Sequence, residues 1–139
     1  MPNDASSPSA ADRPRIQKIQ VQGVPIVTLD FSGATPAQTL AMLDEYPGVF
    51  TDKTPGSVRL LTDVTGLTYD SAVSNKWKSA RVEYDPYVRA TAIYGVTGLV
   101  GVAVRSFTEV ALWLGLPNAQ KKIQVFDSRE KALAWLVEQ

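Results

Sequence analysis

From residue 24 onward the chain switches repeatedly between two hydrophobic periods. Short runs rich in Val, Ile and Leu (VPIVTLDF, VRLLTDV, YVRATAIYGV and KKIQVFD) alternate with longer segments whose apolar positions recur every three or four residues. The first pattern reads as a strand and the second as an amphipathic helix. A strand, a helix and another strand in succession imply a parallel pair joined by a right-handed crossover. The alternation therefore points to an α/β sheet before any single residue is considered.

The opening of the sheet has a different character. In RIQKIQVQ, Ile19 and Val21 share one face, and a turn at Gly23 leads directly into the next run. Two strands joined so tightly pair antiparallel, which places the first at an edge. VPIVTLDF is more continuously apolar and so more central. In GATPAQTLAMLDEYP, Thr35 is placed to cap a helix and Pro36 suits its first position; Ala37, Leu40 and Leu43 supply a buried face. Asp70 or Ser71 caps a second helix on which Val73, Trp77, Ala80 and Tyr84 fall at helical spacing, and Asp85-Pro86 stops it. Trp77, Tyr84 and Trp135 read as core. A third helix is expected over TGLVGVAVRSFTEVALWLGLP, and a fourth follows DSRE, with Asp127 and Glu130 as a capping box. The expected order is β-β-α-β-α-β-α-β-α: a single α/β domain with a mixed, mostly parallel five-stranded sheet, an antiparallel edge strand and about four helices. It spans residues 15–139. Residues 1–14, MPNDASSPSAADRP, offer little to bury and read as a disordered tail.

Composition narrows the chemistry. The chain of 139 residues has no cysteine and no histidine. Disulfides, thiolate nucleophiles, Ser-His-Asp triads and HExxH zinc sites are therefore impossible. Any catalysis would rest on carboxylates, Lys, Tyr or hydroxyls. Fourteen basic against fourteen acidic residues leave a formal net charge of zero, so no nucleic-acid partner is expected. Arg105 and Glu109 interrupt the longest apolar stretch, which excludes it as a membrane span. No apolar signal-peptide core is visible near the start, and a cytoplasmic location is the expectation.

The segments VTLDFSG, VRLLTDVTG, PYVRATAIYGVTGL and VFDSREKALAWLV, together covering most of residues 27–137, resemble the STAS superfamily of sulfate-transporter and anti-sigma-antagonist domains. The likeness is to its SpoIIAA-like branch, which is related in fold to the CRAL-TRIO lipid-binding domains. The resemblance implies a mixed sheet with helices packed on it, and a role in regulatory protein contact or small-ligand binding. In anti-sigma antagonists the turn after the corresponding strand carries an Asp-Ser pair whose serine is phosphorylated by a partner kinase. Asp70-Ser71 stands at the comparable place, which makes Ser71 a candidate phosphoacceptor. A non-enzymatic regulatory or binding domain is the expected function. A carrier of an apolar small molecule, in the CRAL-TRIO manner, is the alternative.

Open α/β sheets bind ligands at the carboxyl ends of their strands. Asp30, Asp63 and Asp127 fall near such ends, Asp70 opens the second helix, and Thr97-Gly98 lie in the glycine-containing YGVTGLVG ahead of the third. These six residues form a candidate strand-end loop site. Three carboxylates suit a divalent cation, but aspartates also cap helices and shape turns. The capping reading is preferred, and no metal or cofactor is expected. The glycine stretch lacks the P-loop lysine and reads as a turn with Thr97 as cap. On the third helix, Leu99, Ala103, Phe107, Val110 and Leu114 make a core face, while Val102 and Trp113 flank one side and Val104 and Leu112 the other. That arc is about twice the roughly 100° that one sheet covers. Val102, Val104, Leu112 and Trp113 are therefore candidates for a homodimer interface; burial by the tail or a neighbouring helix is the alternative.

Overall fold

The computed structural model describes residues 15–50, 54–68, 70–96 and 123–139. Five strands lie in the order of the chain: β1 (Ile16–Val21), β2 (Val24–Asp30), β3 (Val58–Asp63), β4 (Val88–Tyr94) and β5 (Ile123–Phe126). β1 pairs antiparallel with β2, and every later pair is parallel. The expected mixed sheet with its antiparallel edge is thus observed. Gln22 and Gly23 both have positive φ, 52° and 78°, between the paired residues Val21 and Val24. Positive φ at both central positions is the mark of a type I′ hairpin turn, whose twist matches that of the strands.

Three of the expected helices fall within the described residues: α1 (Pro36–Glu45), α2 (Ser71–Tyr84) and α3 (Arg129–Val137). The segment read as a further helix between Thr97 and Pro117 lies outside them. Moving steadily across the sheet, right-handed crossovers place α1 and α2 on one face. There Met42, Leu43, Trp77 and Ala80 pack against Val27, Leu29, Leu60 and Ile93. α3 lies on the opposite face, where Ala132 and Leu136 meet Ile26, Leu61, Ala90 and Ala92. The two alanines of β4 leave room for a helix to sit close. β2 is buried on both faces through Ile26 and Val27, as its apolar sequence requires.

The helix ends follow short-range chemistry, with two corrections. Thr35 caps α1 by accepting from the Gln38 amide at 3.2 Å, and Gln38 Oε1 returns the contact from the Thr35 amide at 2.9 Å. The buried face of α1, however, is Thr39, Met42 and Leu43, while Ala37 is exposed. The helix is rotated because the chain tightens after Glu45 into a 3-10 turn, Tyr46–Phe50, that buries Tyr46, Val49 and Phe50 in the same core. At α3 the cap is Ser128, whose hydroxyl accepts from the Lys131 amide at 3.2 Å. Asp127, expected to cap, pairs instead with Lys131 at 3.1 Å on an exposed surface.

α2 carries an unexpected buried charge. Arg81 lies 3.4 Å from Asp85 across one helical turn, and the two residues are only 4% and 1% exposed. Arg81 also donates to Thr91 of β4 at 3.0 Å and to the Tyr46 phenol. The end of α2 is thereby tied to the sheet and to the 3-10 turn after α1. Burial pushes the Tyr46 pKa up to about 12, against the opposing pull of Arg81.

Candidate functional site

Two strand ends repeat the same four-residue device. Asp30-Phe31-Ser32-Gly33 follows β2 and Asp63-Val64-Thr65-Gly66 follows β3. In each, the aspartate Oδ1 accepts from the amide and the hydroxyl two residues on. The amide contacts are both 2.9 Å, from Ser32 and from Thr65, and the Thr65 hydroxyl lies at 2.7 Å. A glycine with φ of 62° or 68° then turns the chain away. The turns also bond to one another, Gly33 donating to the Thr65 carbonyl at 2.8 Å. Asp30 and Asp63 are therefore turn-makers, as side chains of this type commonly are.

They are also neighbours. Strand pairing sets Asp30 beside Asp63 and Asp63 beside Tyr94, and the Asp30 amide donates to the Arg15 carbonyl at 2.8 Å. With side chains alternating along each strand, these four residues form a row across β1–β4 on the face that carries α3. At about 4.8 Å per strand the row is about 15 Å long. Arg129, the first residue of α3, closes its β4 end by donating to the Tyr94 hydroxyl at 3.4 Å. Arg15 holds the other end, its Nη1 donating to the carbonyls of Asp30 and Ser32 at 3.1 and 3.0 Å.

The row lines a cleft of about 220 Å³ that also touches Ile19, Thr28 and Leu61. It opens at the carboxyl edge of the parallel strands, where such sheets take ligands. Two guanidinium groups and two carboxylates share one wall. Burial raises the pKa of the Tyr94 phenol; its hydrogen bond with Arg129 opposes that shift, and the neighbouring Asp63 carboxylate adds to it. The phenol thus stays protonated at neutral pH and serves as a hydrogen-bond donor rather than a base. Among the described residues no three acidic side chains come together as a metal site.

The other residues singled out from the sequence lie elsewhere. Asp70 caps α2, its Oδ1 accepting from the Val73 amide at 2.9 Å, and Ser71 is the exposed first residue of that helix. Asp127 is exposed beside Lys131 and does not line the cleft. Thr97, Gly98, Val102, Val104, Leu112 and Trp113 lie outside the described residues. Of the six strand-end candidates, the structure brings together Asp30 and Asp63. Sequence reading missed Arg15, Tyr94 and Arg129. A local signal existed only for Tyr94, the last residue of β4 as Asp30 and Asp63 are of β2 and β3; Arg15 and Arg129 come to the cleft through long-range packing.

No protein-family model matches the chain, and no curated protein matches it. Its fold does have a counterpart in a crystal structure at 2.25 Å resolution. That structure is of an uncharacterized protein from Shewanella loihica PV-4, of the DUF3478 family and with a SpoIIAA-like fold. The match has a TM-score of 0.66 at 19% sequence identity and covers 87% of this chain and 91% of the other. The chain therefore has a SpoIIAA-like fold, in agreement with the resemblance read from four of its segments. No helix among the described residues is long and apolar enough to cross a membrane.

Proposed function

We propose that this chain is a non-enzymatic binding domain that receives a small polar ligand in the cleft at the carboxyl edge of its sheet. The observation that carries this reading is the Tyr94 phenol, held between the Asp63 carboxylate and the Arg129 guanidinium at the mouth of a concave site. The cleft offers donors and acceptors in quantity but little that drives a reaction. Its phenol is kept protonated, both aspartates serve turns, and the chain has no histidine or cysteine to relay protons or attack a substrate. A polar occupant suits these walls better than an acyl chain. The volume is below the roughly 300–1,000 Å³ of sites for drug-sized ligands, and covering charged groups with hydrocarbon removes their hydration without replacing it.

The test is an amide-resolved NMR screen of the protein against a library of small polar fragments. Binders should move the amides of residues 63–66, 94–96 and 129–131 together, and Tyr94→Phe and Arg129→Gln should each weaken them. A library that leaves those amides unmoved refutes the reading, as does tight binding confined to long-chain fatty acids.

A further inference from the structure

The two halves of the row have different duties. Toward β1 the polar groups serve the fold, since Arg15 holds two main-chain carbonyls and Asp30 holds the Ser32 turn. Toward β4 they retain binding capacity. A carboxylate offers about four acceptor positions, and on Asp63 the Thr65 amide and hydroxyl and the Tyr94 phenol occupy three of them. Arg129 is exposed, and one of its N–H groups makes only the long contact of 3.4 Å with Tyr94. Ile19 and Leu61 form apolar wall beside these groups.

We infer that this half of the cleft binds a small zwitterion of α-amino-acid size, with its ammonium on Asp63, its carboxylate on Arg129, and an aliphatic side chain toward Ile19 and Leu61. The inference rests on the binding role proposed above and names the ligand class for that site.

Charge selects this class. The cleft holds two guanidinium groups and two carboxylates, so its formal charges cancel. A bare anion at Arg129 would sit within a strand or two of Asp63 and Asp30, and a bare cation at Asp63 would sit between Arg15 and Arg129. Each would meet repulsion that a ligand carrying both signs avoids. Size selects it too. The cleft of about 220 Å³ lies below the roughly 300–1,000 Å³ of sites for drug-sized ligands, which suits a single small amino acid.

Three probes of matched carbon skeleton test the inference by NMR titration of the labelled protein: leucine, 4-methylpentanoate and 3-methylbutylamine. Leucine should shift the amides of residues 63–66, 94–96 and 129–131 saturably. The acid and the amine should each bind about tenfold more weakly or worse, because each lacks one charge-assisted hydrogen bond. Asp63→Asn, whose amide oxygen can still accept from Thr65, should abolish the advantage of leucine over the acid alone. Arg129→Gln, at an exposed helix start, should abolish its advantage over the amine alone. The dispersion of the amide spectrum reports in the same experiment that both variants are folded. If the acid or the amine binds as tightly as leucine, the zwitterion is refuted and the cleft remains a binding site. The same holds if all three are silent while other polar fragments bind there. If the fragment library is silent as well, both readings fall.

Discussion

Replacing Asp85 by Ala should destabilise the protein by about 3–5 kcal/mol, the usual consequence of leaving one member of a buried ion pair without its partner. The site meets the conditions for an effect of that size. Arg81 and Asp85 are 4% and 1% exposed, so either charge left alone would stay out of water with nothing to offset it. For a chain of 139 residues, with ~3–4 °C lost per kcal/mol, the melting temperature should fall by about 10–20 °C. Arg81→Met should be at least as harmful, since it leaves Asp85 buried and also removes the donor to Thr91 and Tyr46. The double variant separates this account from ordinary loss of packing. With both charges gone, the remaining loss is two hydrogen bonds and a small void, about 2–3 kcal/mol in all. The second substitution should therefore restore stability to the first. Urea unfolding followed by far-UV circular dichroism, with the m-value checked for constancy, measures all three variants. A single-variant loss under about 1 kcal/mol, or a double variant less stable than either single one, would refute the reasoning.

Three further outcomes follow from local geometry. Asp70→Ala should lose about 1 kcal/mol of stability through the helix cap, whereas Ser71→Ala should change it by a few tenths at most; chemical denaturation of the pair compares them. Gly95→Ala should lose about 2–4 kcal/mol, because φ is +82° and a Cβ there would lie 2.1 Å from Thr65 Oγ1 and 2.7 Å from the Thr65 amide nitrogen; the same assay reads it, and wild-type stability would contradict the close approach of the two turns. Tyr46 should make the fold sensitive to alkali. Its folded pKa of about 12 lies above the ordinary 10, so the unfolded chain releases the proton first. Stability should be full below pH 10 and fall by up to about 3 kcal/mol as pH rises toward 12. In denaturation curves taken across that window, Tyr46→Phe should be less pH-dependent than the parent protein, and an equal dependence would count against the assignment.

Much of the fold was legible because its signals act over a few residues. Thr35 and Pro36 start α1 through contacts within one turn, Gln22-Gly23 closes the hairpin, and the change of hydrophobic period marks each strand and helix. The antiparallel edge followed from the tight turn after β1, and the parallel pairing from the alternation of strands and helices. The placement of Asp30 and Asp63 at strand ends could likewise be read from the chain.

The partners of those aspartates could not. Tyr94 is 31 positions from Asp63 and Arg129 another 35 from Tyr94, and they meet only because the β3–β4 register aligns Asp63 with Tyr94 and α3 returns over that edge. A slip of one residue in either strand would turn the row to the opposite face of the sheet. Nothing in the local sequence marks Arg81 for burial. Its burial depends on the rotation of α2 against β4 and on the 3-10 turns that bring Asp85 and Tyr46 to it. Asp127 reads as one more strand-end carboxylate, but the chain leaves β5 at the sheet edge and turns it outward to Lys131, with Ser128 capping α3 in its place. Caps, turns and periods arise from backbone groups close in sequence, so the chain by itself determined them. The cleft depends on which face and which register distant segments share, and long-range packing decided that.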